Sequence, residues 1–260
     1  AYRRIAPLVR PMLAGLTSVA AQHRDDGARF TDLGLAKSAL TVTGNIKFDL
    51  SLDQGIKEKA QQLSLDWRGS GERPILLAAS THRGEDEIIL EAFRKIKDQI
   101  NNSLLVLVPR HPERFNQVAG LCDAAGFSVA KRSANDSVDS ADILLGDTMG
   151  ELMCFFGACD IAFVGGSLVP NGGHNMIEPA AWGVPVLSGP HLFNFSEASQ
   201  LLLNGGAMQI CHSADQMAEQ VVELLQNQAQ RDEMGSAAQR IAEANRGALD
   251  RLLSLIDKTI

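Results

Sequence analysis

No stretch of this chain is apolar for long enough to cross a bilayer, and none of it has the form of a signal peptide. CxxC pairs are missing too. The four cysteines, Cys122, Cys154, Cys159 and Cys211, are scattered, and Cys154 and Cys159 sit in apolar segments, as reduced core thiols do. These absences lead to the expectation of a cytoplasmic protein without disulfides. Positive charge is also scarce: a formal net charge of −7 argues against a nucleic-acid backbone as the main partner. A nucleotide remains admissible, because it needs only a local positive pocket. Three signatures are absent. There is no GxSxG elbow, no GxxxxGK[ST] phosphate loop, and no GxGxxG after the first strand, which disfavours hydrolase, P-loop and dinucleotide chemistry. Asp147, Glu151 and Asp160 lack metal-ligand spacing and the histidines are dispersed, so neither metal nor cofactor is expected. The remainder is ordinary globular chain, with 45% hydrophobic and 21% charged residues over 260 positions, enough for a substantial core.

What the chain does have is Gly165-Gly166-Ser167, then Gly172-Gly173-His174-Asn175, then Glu178-Pro179. The apolar run Ile161–Val164 before it reads as a buried strand, and a helix is expected from Asn175 to Trp182. Glycine permits positive φ and lets a ligand approach the main chain. N–H groups at a helix start favour an anion. Glu178, one turn on, suits the hydroxyls of a ribose. The stretch therefore reads as a phosphate and sugar site that includes Gly166, Ser167 and His174. The plain alternative is an ordinary strand–loop–helix joint.

From Pro74 onward, short apolar runs alternate with helical patterns. Strands are expected at 75–79, 104–108, 128–131, 143–145, 161–164, 184–187 and 207–211. Helices are expected at 85–100, 112–125, 150–158, 175–182, 194–203 and 213–226, with one long last helix from Ala229 to about Asp257. Near-continuous apolar strands separated by helices predict a Rossmann-like α/β fold, a parallel sheet with helices on both faces. The first ~45 residues differ, with short strands at 19–21 and 40–43 around a helix at 25–33. Residues 68–73 read as a polar loop.

The unusual residues gather at the strand ends, where such sheets bind ligands. They are Ser80-Thr81-His82, Pro109-Arg110-His111, Gly146–Met149, Gly165–Ser167 and Ser188–Pro190. Arg110 fits a phosphate clamp, since a guanidinium fork matches phosphate oxygens; a surface arginine is the plain reading. His111 supports the turn into Pro112. Ser80 or Thr81 is the expected cap of the helix after His82.

Taken together, several stretches resemble one family. They are Ser80–His82, Leu107–Arg114, Gly146–Leu152, Phe163–Leu168, Gly172–Asn175, Glu178-Pro179, Gly189–His191 and Asn194-Phe195, preceded by Gln22, Asp26–Phe30 and Gly44–Asp49. In this order they look like the C-terminal half of a 3-deoxy-D-manno-octulosonic acid (Kdo) transferase, across essentially the whole chain. The resemblance implies an inverting GT-B glycosyltransferase that moves Kdo from CMP-Kdo to lipid A precursor in lipopolysaccharide synthesis, at the cytoplasmic face of the inner membrane. It implies CMP contacts at Pro109, Arg110, Met149, Gly150, Glu151 and Asn175, Met176, Ile177 and Glu178, and a charge-stabilising role for Lys47. It also implies that residues 1–43 are the remnant of an acceptor domain, 44–73 an interdomain linker with a first helix region, and 74–260 the nucleotide-sugar domain. The acceptor site and catalytic base would lie on residues not in this chain, which by itself is expected to be inactive. The alternatives are a UDP-sugar transferase or epimerase on the same architecture, and a non-catalytic nucleotide-binding module.

Overall fold

The computed structural model describes residues 6–69 and 73–259. Of the polar loop expected at 68–73, positions 70–72 lie outside the described residues. The chain divides into two compact units, Ala1–Ser51 with Ala242–Ile260, and Leu52–Ile241.

The first unit contains α1 (Ala6–Ala14), β1 (Val19–Ala21), α2 (Arg24–Asp32) and β2 (Leu40–Val42). β1 and β2 pair in parallel, with Val19 opposite Leu40, and α2 makes the crossover that parallel pairing demands. A 3-10 turn, Ile46–Phe48, follows, and the Asn45 side chain accepts the Lys47 N–H at 3.1 Å.

The second unit contains α3 (Gln54–Arg68), β3 (Ile75–Thr81), α4 (Asp86–Gln99), β4 (Leu104–Pro109), α5 (Phe115–Ala124), β5 (Val129–Lys131), β6 (Ile143–Leu145) and α6 (Leu152–Phe156). It continues with β7 (Ile161–Val164), α7 (Ile177–Ala181), β8 (Val186–Ser188), α8 (Ser196–Asn204), β9 (Met208–Ile210), α9 (Ala214–Gln226) and α10 (Gln228–Ala244), whose last turn crosses into the first unit. α11 (Ala248–Thr259) ends the described chain.

All seven strands of the second unit are parallel, in the order β5-β6-β4-β3-β7-β8-β9. This is the Rossmann-like sheet that the alternation predicts. The strands are buried on both faces, and their side chains alternate between two cores. Leu76, Ala78, Leu105, Leu107, Ile143 and Phe163 meet α4, α5 and α9 on one face. Ile75, Leu77, Ala79, Val106, Leu144 and Ala162 meet α3 and α6 on the other. The period of two along a strand produces this division. α4 supplies Ile89, Leu90, Ala92, Phe93 and Ile96, a stripe at helical spacing. Asp53 starts α3 by accepting the Ile56 N–H at 2.8 Å, and Ser213 starts α9 by accepting the Gln216 N–H at 3.2 Å. Arg68 at the end of α3 makes a two-pronged ion pair with Asp160 at 2.9 and 3.0 Å, and Asp160 also accepts the Ile75 N–H at 2.7 Å. That carboxylate ties α3 to the starts of β3 and β7.

Three local expectations change. The long last helix is two helices, α10 and α11, broken at Gly247, whose φ of +86° lies in the left-handed region that side chains disfavour. α11 groups with the first unit rather than with the sheet: Asp49 accepts the N–H groups of Gly247 and Leu249, and Arg251 donates to the Thr43 carbonyl at 2.7 Å. A carboxylate at a helix N-terminus is favoured by the helix dipole. Ser80 and Thr81 do not cap α4. Ser80 sits at φ +57°, where the β3–β4 register shifts, and the Thr81 hydroxyl donates to Asp86 at 2.6 Å.

Candidate active site

Strand order fixes where a ligand belongs. From β3 the chain adds β4, then β5 at the far edge and β6 between the two, then returns to add β7 on the other side of β3. The switch point therefore lies between β3 and β7, and ligands of such sheets bind outside the carboxyl ends of the strands there. A pocket of about 290 Å³ occupies that place. Its walls come from the end of β3 (Ala79, Ser80), the end of β4 (Val108, Pro109, Arg110) and the loop after β6 (Thr148, Met149, Gly150). Leu152, Phe156, Val164, His174, Asn175, Glu178 and Phe195 complete the lining. A larger hollow of about 590 Å³ in the first unit is lined by Val9, Leu13, Phe30 and Leu33, and its charges, Asp26 and Arg29, pair with each other at 2.8 Å. It offers a phosphate little.

Arg110 reaches the pocket because β4 ends at Pro109 and the next backbone N–H is held by the Thr81 carbonyl at 3.0 Å. Its side chain is exposed. Beneath it Arg114 is buried: it donates to the Thr81 carbonyl at 2.8 Å and pairs with Asp86. Burial raises the Asp86 pKa, against the hydrogen bonds from Thr81 and Arg114 that lower it. The two arginines of one short motif thus separate by role. Arg114 holds the ends of β3 and β4 together, and Arg110 faces the pocket.

The Gly165–Ser167 loop departs from the expectation that a ligand approaches its main chain. Glu85, fully buried, takes those of Gly166 at 2.7 Å, Ser167 at 3.0 Å and Leu168 at 2.9 Å. It also accepts the His82 N–H at 2.9 Å. Neither Gly166 nor Ser167 lines the pocket. The Ser167 hydroxyl points inward, donating to the Val164 carbonyl at 2.7 Å and accepting the Gly189 N–H at 2.8 Å. The loop is an anion nest, and its anion is the protein's own carboxylate. Gly165 lets the loop pass close to β3, since a Cβ there would stand 2.7 Å from the Ser80 carbonyl oxygen.

His174 does reach the pocket. Its Nε2 lies 2.6 Å from Nε2 of His82, and the two rings are parallel to within 6°. His111 meets His82 edge-on at 5.4 Å. Burial, then the charges of His82, Arg110 and His111, lowers the His174 pKa to about 4. His82 is lowered as well, first by burial, with Glu85 acting in the opposite sense.

Asn175 accepts the Ile177 N–H at 3.2 Å, which starts α7, and donates to one oxygen of Glu178 at 3.0 Å. Burial raises the Glu178 pKa, opposed by that hydrogen bond. Met176 and Ile177 are core residues, so only their backbone lies near the site. The Glu151 carboxylate is engaged within the protein. Arg132 grips it at 2.9 and 3.1 Å, Lys59 at 2.9 Å and the Thr148 hydroxyl at 2.6 Å. These partners, Arg132 foremost, hold its pKa near 2. Its part is to fix the loop that carries Met149, which is exposed, and Gly150, at φ +82°. Lys47 is exposed in its 3-10 turn in the first unit.

Sequence reasoning missed Glu85 as the loop's organiser. An acid just before a helix reads as a solvated first-turn charge, and nothing in the spacing shows that a loop 81 positions later wraps it. Phe195 and Phe156 lacked a signal of their own as pocket walls.

Comparison with known proteins supplies the family. Residues 1–50 match the family model described as 3-deoxy-D-manno-octulosonic-acid transferase (kdotransferase). The chain is 43% identical to the 3-deoxy-D-manno-octulosonic acid transferase of Haemophilus influenzae over 98% of its own length and 60% of that protein's. It therefore spans well under two thirds of this relative. Among solved structures, the C-terminal CMP-Kdo binding domain of WaaA from Acinetobacter baumannii is 31% identical, with a TM-score of 0.69, and covers 73% of this chain and 98% of that domain. A glycosyltransferase from Rickettsia africae, 14% identical over 98% of this chain and 66% of that one at a TM-score of 0.63, shares the fold. On these grounds the chain belongs to the 3-deoxy-D-manno-octulosonic acid transferase family.

Proposed function

We propose that this chain is the donor-binding half of an inverting transferase that takes Kdo from CMP-Kdo and delivers it to lipid A precursor. The observation that carries the reading is the pocket at the β3/β7 switch point, where Arg110, Asn175 and Glu178 converge in a chain 31% identical to a CMP-Kdo binding domain. Arg110 takes the CMP phosphate, with its planar fork matched to two oxygens. Glu178, held by Asn175 through one oxygen, takes the ribose hydroxyls. The backbone around Pro109 and from Met149 to Glu151 receives the base.

In the reaction, an acceptor hydroxyl attacks the anomeric carbon of Kdo from the side opposite the phosphate. A C–O bond forms to the acceptor, the bond to the CMP oxygen breaks, and configuration inverts. The acceptor's proton goes to a carboxylate base, which is not assigned to this chain. Negative charge grows on the departing phosphate, where Arg110 stabilises it, and Lys47 is proposed to add to that stabilisation. The whole enzyme works at the cytoplasmic face of the inner membrane, and this chain alone binds the donor without transferring it. Calorimetric titration with CMP, UMP and UDP tests the reading. CMP binding more tightly than either uridine nucleotide is expected. Equal or tighter binding of UDP would overturn it in favour of a UDP-sugar enzyme.

A further inference from the structure

His82 and His174 come from different elements, the β3–α4 turn and the loop before α7, and meet with their Nε2 atoms 2.6 Å apart beside Arg110. The parallel rings and that separation leave room for one shared proton: one Nε2–H donates and the other nitrogen accepts. Two N–H groups cannot face each other at this distance. The pair can therefore carry two facing Nε2–H groups only if an acceptor comes between them and parts the rings.

The surroundings favour an anion there. His82 is faced by His111, Arg110 and Arg114 from the end of β4 and the turn after it, and by Glu85 from its own turn, where Asp86 pairs with Arg114. Both acids are already committed. Glu85 accepts four backbone N–H groups, and Asp86 is held by Arg114 and Thr81. His174 is faced by His82, His111 and Arg110. Its neighbour Asn175 is bonded to Glu178, so that acid is engaged one turn away. His174 and Arg110 thus line the pocket with His82 and His111 behind them, and among the described residues no acid pairs with either imidazole of the pair.

We propose that the His82–His174 pair is an anion subsite that opens to take the carboxylate of the donor sugar, next to Arg110, which takes the phosphate. The proposal rests on the CMP-Kdo reading above and adds to it the group that recognises the sugar. At rest the imidazoles are kept neutral by burial and by their cationic neighbours. A carboxylate placed between them reverses that balance, and the pair binds a proton with the sugar. The folded, ligand-free site thus has low imidazole pKa values and the occupied site higher ones. The sugar's contribution to affinity is then greatest at low pH and declines as pH rises.

The test compares the 5′-methyl phosphodiester of CMP with freshly prepared CMP-Kdo, titrated at low temperature at pH 6 and pH 8 in buffers of different ionisation enthalpy. Neither diester changes its charge in this range, as the monoester phosphate of CMP does, and only CMP-Kdo carries the carboxylate as well. The ratio of the two affinities is expected to fall by roughly tenfold to a hundredfold between pH 6 and pH 8, since one fully linked proton changes a constant tenfold per pH unit. Extra proton uptake with CMP-Kdo over the methyl ester is expected at pH 7. In His82→Gln and His174→Gln the affinity ratio is expected to lose its pH dependence, whatever each variant does to the methyl ester itself. A ratio flat with pH in the wild-type chain, with no extra proton uptake, overturns the subsite while leaving the CMP site standing. Failure of CMP to bind at all removes the nucleotide reading, and the subsite with it. The wild-type proton measurement decides the matter even if a variant does not fold.

Discussion

Replacing Glu85 by glutamine tests how the site is held in shape. In the native chain one carboxylate oxygen accepts Ser167 and Leu168 N–H groups, and the other accepts those of His82 and Gly166. Glutamine keeps the size and one acceptor oxygen. Its NH2 group must then face two backbone donors, in a place where the side chain is fully buried. A buried donor left without an acceptor costs roughly 1–3 kcal/mol, so two of them cost about 2–6 kcal/mol. Losses above ~4–5 kcal/mol are exceptional for single substitutions, and rearrangement of the loop recovers part, so a loss of about 3 kcal/mol is expected. Urea denaturation reads it as a lower midpoint at unchanged slope. Glu87→Gln, on the exposed side of α4, is the comparison and is expected within ~0.5 kcal/mol of wild type. CMP affinity should fall as well in Glu85→Gln, because His174 and Asn175 leave the same loop. A Glu85→Gln chain as stable as wild type would refute the claim that this carboxylate organises the loop.

Other outcomes follow from the same geometry. Arg110→Ala and Glu178→Ala should each weaken CMP binding by about 1–3 kcal/mol with the fold intact, and unchanged calorimetric affinity in both would displace the nucleotide from this pocket. Gly165→Ala sets a Cβ 2.7 Å from the Ser80 carbonyl oxygen and 2.9 Å from the Thr81 Cα, both backbone atoms, so a loss of roughly 1–3 kcal/mol is expected in thermal or urea unfolding. Glu151, with its pKa held near 2 against an ordinary 4.5, contributes stability that is complete above about pH 4.5 and is lost as pH falls towards 2. Glu151→Gln should therefore flatten the acid limb of the stability profile, and an unchanged limb would contradict the ion-pair role. Excess EDTA should leave CMP affinity unaltered, since Arg110 is the proposed partner of the phosphate and, among the described residues, Glu178 is the one acidic side chain lining the pocket. A loss that magnesium restores would contradict this.

The sheet was legible in the sequence because strands buried on both faces must be apolar throughout. β6 at Ile143–Leu145 and β7 at Ile161–Val164 show this directly. Arg110 could be placed at a strand end for the same reason: polar residues at the edge of an apolar run have only that edge to occupy. The glycine loop was legible as a backbone turn open to close approach and misread as to what approaches it, because Glu85 is remote in sequence. Glu151 was hidden similarly, its fate set by Lys59 and Arg132 on other elements. The last helix was read as continuous because amphipathic spacing runs through both α10 and α11, and Gly247 alone marks the break. Its grouping with the first unit depends on Asp49, nearly 200 residues earlier.

The most direct test of the central claim is a crystal structure of this chain with CMP. The nucleotide is expected at the carboxyl ends of β3, β4, β6 and β7, with its phosphate on Arg110, its ribose on Glu178, and the Gly166 to Leu168 N–H groups still bound to Glu85. A phosphate seated on those loop N–H groups with Glu85 displaced, or CMP bound away from the pocket, would contradict it.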